Sequence, residues 1–316
     1  MASIRRLDYP DSAYEVVTTR GTNPSAGRNQ GARLARGEIL AFLDDDATIP
    51  PDYLLEAEAF FREYPEIDIV GGPQLTATDD QGFSRISWYA LSSMFGAWKV
   101  SRRYALREIR LNADETAVSS ANLLCRKRVL DTVAFDTTLF PGEDPKFIAD
   151  AIRAGFRIAY SPAIRLYHRR RATVPALMRQ IFSYGKARPR KETLLETLRM
   201  PFFFVPSLFL LYLIGLGAVT AVQPWIVGEA LSFGGGLTNE PMPGKLLFLP
   251  LLIYAAAAVL FGIYDSARNR DLKAVFVLPF MYPLIHLSYG LGMIRGYADR
   301  LRFIPGIKSR KPSGLI

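Results

Sequence analysis

Residues 38–46 read Glu-Ile-Leu-Ala-Phe-Leu-Asp-Asp-Asp (EILAFLDDD). Five consecutive apolar residues predict a buried strand over 38–43, and the strand ends in three adjacent carboxylates. Adjacent carboxylates repel one another unless they are solvated or bound to a cation. Mg²⁺ and Mn²⁺ take oxygen ligands, commonly one or two carboxylates plus substrate phosphates. The triplet therefore reads either as a solvated acidic turn before a helix or as a cation site at a strand end. Upstream, residues 14–19 (YEVVTT) predict a short strand, 21–25 a turn cluster and 27–35 a helix. Downstream, Pro50 and Pro51 open a helix through Tyr64, and 67–70 form another strand closed by Gly71-Gly72-Pro73. This alternation argues for an α/β domain, a parallel or mixed sheet covered by helices. Ligands of such sheets bind beyond the carboxyl ends of the strands, where Asp44, Asp45 and Asp46 fall.

The rest of the first half continues in this style. Residues 83–104, with Trp88, Tyr89, Phe95, Trp98 and Tyr104, predict either a helix packed on the sheet or an amphipathic helix at a membrane surface. Residues 116–124 predict a strand and 126–133 a short helix. The turn FPGED (140–144) leads into a helix over 145–154 that Gly155 caps. Residues 157–168 are strand-like with an interruption at Pro162, and 174–186 predict an amphipathic helix.

The chain has 316 residues, 49% of them hydrophobic and 22% charged. The two kinds are separated in sequence. A charged region, 1–195, precedes a region, 196–316, that is dominated by three apolar runs at 201–222, 246–264 and 274–294. Each run approaches the roughly 20 residues needed to cross a bilayer. The net charge is +9. Arg165, Arg169, Arg170, Arg171, Arg179, Lys186, Arg188, Arg190, Lys191 and Arg199 stand just ahead of the first run, where basic residues mark a cytoplasmic flank. No nucleic-acid-binding signature accompanies the charge, so nucleic acid is not an expected partner. The expected location is the cytoplasmic membrane, multi-pass, with the soluble domain on the cytoplasmic side. The loop with Gly234, Gly235 and Gly236 is then external and the loop with Arg268, Arg270 and Lys273 internal. Three full spans would put Arg295, Arg300, Arg302, Lys308, Arg310 and Lys311 outside, against the charge rule. A re-entrant or interfacial third segment removes that conflict. The single cysteine, Cys125, sits in an apolar stretch and reads as a buried structural thiol, and no disulfide framework is available within the chain.

Two further elements bear on chemistry. Glu143 and Asp144 follow a Pro-Gly turn at a helix start, where acidic residues cap helices or serve as a general base. His168 ends a strand ahead of three arginines. It reads as a structural histidine or as a ligand completing a Mn²⁺ site, with the arginines placed to hold a diphosphate leaving group.

Taken together, these elements make the sequence resemble the family 2 glycosyltransferases, which are inverting and of GT-A fold. The resemblance is carried by Asn23-Pro24-Ser25, by Gly27-Arg28-Asn29-Gln30-Gly31-Ala32 and by residues 36–46. It continues through Ser119-Ser120-Ala121-Asn122, Gly142-Glu143-Asp144 and Tyr167-His168. Arg179-Gln180 with Tyr184-Gly185 is similar to the segment after the catalytic domain in succinoglycan-biosynthesis-type transferases. The resemblance implies a GT-A catalytic domain followed by C-terminal transmembrane helices. It implies a metal-dependent transfer of a sugar from a nucleotide donor, a UDP-sugar, to a lipid-linked or membrane-proximal glycan acceptor. By that resemblance Asp46, Asp44 and His168 hold Mn²⁺ or Mg²⁺, and Asp144 is the base, with Glu143 orienting the acceptor. Arg28, Asn29, Asp44 and Asp45 lie at the donor, Ser120 and Asn122 line the sugar pocket, and Gln180 and Tyr184 serve the acceptor or a gate. Membrane lipids are the other implied partners. Two departures stand out. Only about a dozen residues precede YEVVTT, so the usual first strand is expected to be lacking. A Gln-x-x-Arg-Trp motif is also missing, which favours single transfer over polymerisation. The first departure motivates the alternative of a catalytically inactive homologue acting as a membrane scaffold or partner subunit.

Overall fold

A computed structural model of the protein describes residues 2–227 and 243–302. The glycine-rich loop at 234–236 and the basic tail residues Lys308, Arg310 and Lys311 lie outside the described residues. The chain divides into two compact units, Met1–Leu177 with Phe261–Tyr282, and Met178–Leu260 with Pro283–Ile316.

The first unit is built on two small sheets. Strands β1 (Ile39–Leu43), β3 (Ile69–Gly71), β5 (Asn122–Arg126) and β6 (Ile158–Tyr160) form a mixed sheet in the order β1-β5-β3-β6. β5 runs antiparallel to both β1 and β3, and β3 runs parallel to β6. Strands β2 (Ala47–Thr48), β4 (Gln74–Thr76) and β7 (Leu166–His168) form a second sheet in the order β2-β7-β4. Side chains alternate across the larger sheet, so each strand feeds two cores. Leu40, Phe42, Leu123, Cys125, Ile69 and Ile158 enter one core with Phe147 and Ile148, while Leu124, Val70 and Ala159 enter the other with Tyr53, Phe60 and Phe61. Cys125 is fully buried, and burial pushes its thiol pKa up to about 12, which suits a packing role.

Helices α1 (Pro24–Leu34), α2 (Tyr53–Glu63), α3 (Gly82–Ser92), α4 (Met94–Ala97), α5 (Lys127–Leu130) and α6 (Glu143–Arg153) belong wholly to this unit. Asn23 caps α1 by accepting from the Ala26 N–H, with Pro24 at the first helical position. Gly155, at φ 90, ends α6, and Phe156 N–H donates back to the Ala151 carbonyl.

Several expectations are corrected here. Residues 14–19 form no strand. A strand needs a ladder partner, and among the described residues these have none; Glu15 is held instead by Arg36. The strand expected over 116–124 begins only at Asn122, because Asn122 N–H bonds back to the Ser119 carbonyl in a tight turn. The helix expected over 145–154 starts two residues earlier and takes in Glu143 and Asp144. Residues 83–104 break into α3, α4 and a 3-10 turn, Trp98–Tyr104. Phe95 stacks on Phe261 at 5.1 Å and meets Tyr282 edge-on at 5.2 Å.

Gly71 and Gly72 close β3 where another chain segment passes within contact. A Cβ on Gly72 would lie 1.7 Å from the Ile164 carbonyl oxygen. Gly72→Ala is therefore expected to lower stability by more than about 3 kcal/mol, since backbone rather than a flexible side chain must move. Thermal unfolding of the purified protein checks this, with Gly82→Ser, in open space but at positive φ, as a milder comparison.

The second unit contains the later part of α7 (Val174–Lys191), α8 (Leu194–Leu198), α9 (Val205–Val222), most of α10 (Pro243–Arg268) and most of α11 (Leu278–Arg302). Two segments, Pro201–Val222 and Gly244–Arg268, are helical, long and apolar enough to cross a membrane. The third apolar run begins in a 3-10 turn, Leu272–Phe276, and continues in the 25-residue helix α11. Glycines on both helices seat it against α7: a Cβ on Gly292 would lie 2.1 Å from the Phe182 carbonyl oxygen, and one on Gly185 of α7 would lie 2.2 Å from that of Tyr289. The basic stretch before the first apolar run is partly spent internally. Arg165 pairs with Asp52 at 3.0 Å, Arg188 with Glu192 at 3.2 Å and Lys186 with Asp299 at 3.1 Å.

Candidate active site

β1 delivers the chain to Asp44, and a turn closed by the Ala47 N–H on the Asp44 carbonyl carries it into β2. β2 pairs antiparallel with β7 so that Ala47 lies opposite His168. This register brings His168 Nε2 to 2.9 Å from Asp46 Oδ1. Asp44, Asp46 and His168 then offer ligand atoms that all lie within 4.8 Å of one another. The Nδ1 atom of His168 is buried without a hydrogen-bond partner. Two carboxylates and an imidazole are a donor set suited to Mn²⁺, and with fewer nitrogen ligands to Mg²⁺, so the residues present fit a divalent cation.

Arg28 lies beside this cluster. Its guanidinium is 3.1 Å from Asp44, 3.1 Å from Glu143 and 3.5 Å from Asp144, and it covers the Phe135 ring at 5.5 Å. Phe135 is in turn stacked on Phe147 at 4.1 Å. Burial works against the Arg28 charge, but Asp144, Asp44 and Glu143 together hold its pKa above the ordinary value. Burial raises the Asp44 pKa against the pull of Arg28. Burial also raises that of Glu143, and Asp144 adds to the effect. Asp144 is the more accessible of the acidic pair, with 19% of its side chain exposed against 7% for Glu143, and it accepts a short hydrogen bond from the Ser120 hydroxyl. Both carboxylates sit in the first turn of α6, where the helix dipole favours negative charge.

The structure thus brings together Arg28, Asp44, Asp46, Ser120, Glu143, Asp144 and His168. Several expected site residues are engaged with the protein itself. Asn29 spends its amide on the backbone of Phe135, donating to the carbonyl at 2.8 Å and accepting from the N–H at 2.9 Å. Asn122 is fully buried. It accepts from the Tyr53 hydroxyl at 2.8 Å and donates to the Ile164 carbonyl at 2.8 Å, so it locks the interior. Glu143 is bonded to Arg28 at 3.1 Å. Asp45 is exposed beside the cluster. Arg169 pairs with Asp79 at the surface, while Arg170 covers the Tyr104 ring at 4.9 Å and bonds the Gln74 carbonyl. Gln180 donates to the Tyr184 hydroxyl at 2.8 Å on α7. Phe135, the platform under Arg28, carries no sequence signal, being one aromatic in a loop.

Comparison with known proteins gives this arrangement a family. A family model described as "Glycosyl transferase family group 2" matches residues 39–263. The chain belongs to that family. The "Pre-mycofactocin glycosyltransferase" of Mycobacterium tuberculosis, in strains CDC 1551 / Oshkosh and ATCC 25618 / H37Rv, is 27% identical over 168 residues, which is 52% of this chain and 34% of the relative. The chain thus matches about a third of the length of these curated relatives. Among solved structures, the mannosyltransferase PcManGT from Pyrobaculum calidifontis, in complex with GDP-Man and Mn²⁺, superposes with a TM-score of 0.52 at 14% identity. That match covers 95% of this chain and 82% of that one. Residues 1-349 of S. aureus TarS are more distant, with a TM-score of 0.38 and 16% identity over 92% of this chain and 86% of that one. The fold of this glycosyltransferase is GT-A, with apolar helices on its C-terminal side.

Proposed function

We propose that this transferase moves a sugar from a nucleotide donor to a lipid-linked or membrane-proximal glycan acceptor, with inversion, while anchored in the cytoplasmic membrane. The observation that carries this reading is the convergence of Asp44, Asp46 and His168 beside Arg28, Ser120 and Asp144. Mn²⁺ or Mg²⁺ bound by the first three residues would offset the charge that develops on the departing nucleoside diphosphate. Asp144 takes the proton of the acceptor hydroxyl as that oxygen attacks the anomeric carbon. Ser120 aims the Asp144 carboxylate through its hydroxyl. Arg28 keeps the two acidic turns at a fixed separation, and Glu143 keeps Arg28 in place. Asp45 remains available to the donor on the exposed side of the turn, and Gln180 and Tyr184 are assigned to the acceptor.

The neighbour bound to GDP-Man and Mn²⁺ supports a nucleotide-sugar donor with a divalent metal; the resemblance to family members points to UDP. With α9 and α10 as spans, the catalytic unit and the loop with Arg268, Arg270 and Lys273 share the cytoplasmic side, in keeping with the charge rule.

Calorimetry of UDP and of GDP against the detergent-purified protein, with and without Mn²⁺, tests the donor site. One nucleotide is expected to bind only with metal. Asp46→Ala is expected to weaken that binding by at least about tenfold, and His168→Ala to shift the metal titration by a smaller factor. Failure of the unaltered protein to bind either nucleotide would sink the donor assignment and favour the inactive scaffold. An unchanged metal titration in His168→Ala would make that residue structural.

A further inference from the structure

The carboxylate assigned as the base and the residues assigned to the metal stand on different elements, and one buried side chain links them. Gln74 opens β4, where its backbone pairs with Leu166 of β7, two residues before Thr76 pairs with His168. Its side chain leaves this sheet: the Gln74 amide donates to the Ser119 hydroxyl at 2.5 Å. Ser119 belongs to the tight turn that enters β5 of the other sheet, closed by the Asn122 N–H on the Ser119 carbonyl at 3.0 Å. The next residue, Ser120, gives its hydroxyl to Asp144. Gln74, Ser119 and Ser120 are 7%, 5% and 1% exposed, so the link runs through the interior.

Neighbouring contacts hold both ends of the link. The Gln74 carbonyl accepts from the Arg170 guanidinium, and the Arg170 backbone N–H donates to Asp80 at 3.2 Å. The Asn122 amide donates to the Ile164 carbonyl at 2.8 Å and to the carbonyl of Pro73, next to Gln74, at 3.4 Å. Gly71 lets the two segments approach, since a Cβ there would lie 2.9 Å from the Asn122 carbonyl oxygen and 2.9 Å from the Val118 side chain. Packing alone at position 74 would be served by an apolar side chain of the same length. A buried amide is destabilising unless it is bonded, and this one bonds a hydroxyl one residue away from the group that meets Asp144. A hydroxyl rotates to suit its partners, so the direction of Ser120 depends on how the backbone of its turn is held.

We infer that Gln74 is a positioning residue for the sugar transfer: it fixes the Ser119–Ser120 turn against the strand that ends in His168, and so fixes where Ser120 presents its hydroxyl to Asp144. This inference rests on the reading of Asp144 as the base. Gln74 acts through Ser119 and not on the substrate. The link ties a proton acceptor on α6 to cation ligands on β7 and on the turn between β1 and β2, so that the two keep one spacing. A misplacement of about 1 Å at such a site costs roughly 10²-fold in rate.

Turnover and nucleotide affinity of the full-length protein in detergent, read separately, test the inference. Turnover is the nucleotide released from UDP-glucose, UDP-N-acetylglucosamine and GDP-mannose with water as acceptor. Affinity is calorimetric binding of UDP and of GDP with Mn²⁺. Gln74→Met, close in length and without the amide, is expected to lower turnover by about tenfold to a hundredfold and to leave affinity within about twofold. Ser119→Ala is expected to give a loss of similar size, and the double variant no more than either alone, because both remove one contact. Ser119→Ala deletes only a hydroxyl, so it carries the test if Gln74→Met folds poorly. Equal losses of turnover and affinity, or losses that multiply in the double variant, would overturn the role of Gln74. A second cycle needs no turnover. The drop in unfolding midpoint on combining Gln74→Met with Asp144→Asn is expected to be smaller than the sum of the single drops by about 2 °C, since one network joins the two positions. Additive drops would overturn the link. Asp144→Asn keeps the two readings apart. If it retains full turnover, the base reading fails and the inference with it. If it is inactive while Gln74→Met turns over normally, only the role of Gln74 fails.

Discussion

Replacing Asp144 with Asn is expected to lower turnover by about 10²–10⁴-fold while nucleotide affinity stays nearly unchanged. The asparagine keeps the shape of the side chain and still offers an oxygen to the Ser120 hydroxyl. What it loses is the capacity to take a proton. The surrounding frame should survive, because Arg28 remains bound to Asp44 and Glu143 at 3.1 Å each and its contact with Asp144 is the longer one, at 3.5 Å. Steady-state rates measured alongside calorimetric nucleotide affinity separate the two effects. A parallel loss of both would move Asp144 into the donor site and leave the base unassigned.

Arg28→Gln is expected to destabilise the protein by about 3–5 kcal/mol near neutral pH, because it strands a buried carboxylate. Glu143 is 5% exposed, and Arg28 is the cation that holds it. Glu143 already has a raised pKa, from burial first and Asp144 second, while Arg28 pulls it down. A carboxylate with a raised folded pKa contributes stability that is fully present below its unfolded value and is lost as pH rises through the folded value. Removing Arg28 lifts the folded value further and widens that window upward. The stability gap between variant and unaltered protein should therefore be largest near neutral pH and shrink on acidification. Unfolding of the chelator-treated protein across about pH 5 to 8 reads this directly. A gap independent of pH would show that Arg28 acts through packing on Phe135 and not through charge. Arg28→Lys should recover only part of the loss, since a point charge cannot serve three carboxylates as a planar fork does.

These effects bear on how the site could be read beforehand. β1 and its acidic end were legible because a run of five apolar residues stopped by charges has few other solutions. The helices expected over 27–35 and 145–154 were legible as helices, but their starts were not: they begin at Pro24 and Glu143, inside segments whose Asn, Pro and Gly read equally well as turns. Residues 14–19 have strand composition but form no strand, because β structure is completed by a partner and not by the segment itself. Asn29 and Asn122 illustrate a different limit. An asparagine beside a ligand and an asparagine clamping backbone look identical in sequence, and only tertiary structure reveals the Phe135 and Ile164 backbone groups facing these two. The third apolar run was ambiguous for a similar reason, since its glycines mean little until the backbone of α7 lies against them.

By itself the sequence determined the α/β character of the first unit, the family, the long apolar helices and the presence of acidic turns able to do this chemistry. The α/β character, the apolar helices and the acidic turns follow from composition and periodicity within a few turns of chain; the family follows from the motif resemblance. The tertiary structure alone decided which of those groups meet. His168 reaches Asp46 only because β7 pairs with β2 in a register that sets His168 opposite Ala47. Arg28 joins Asp44, 16 residues away, to Glu143, 115 residues away. Contacts over such separations are set by strand register and by the summed packing of both cores, and no local pattern encodes them.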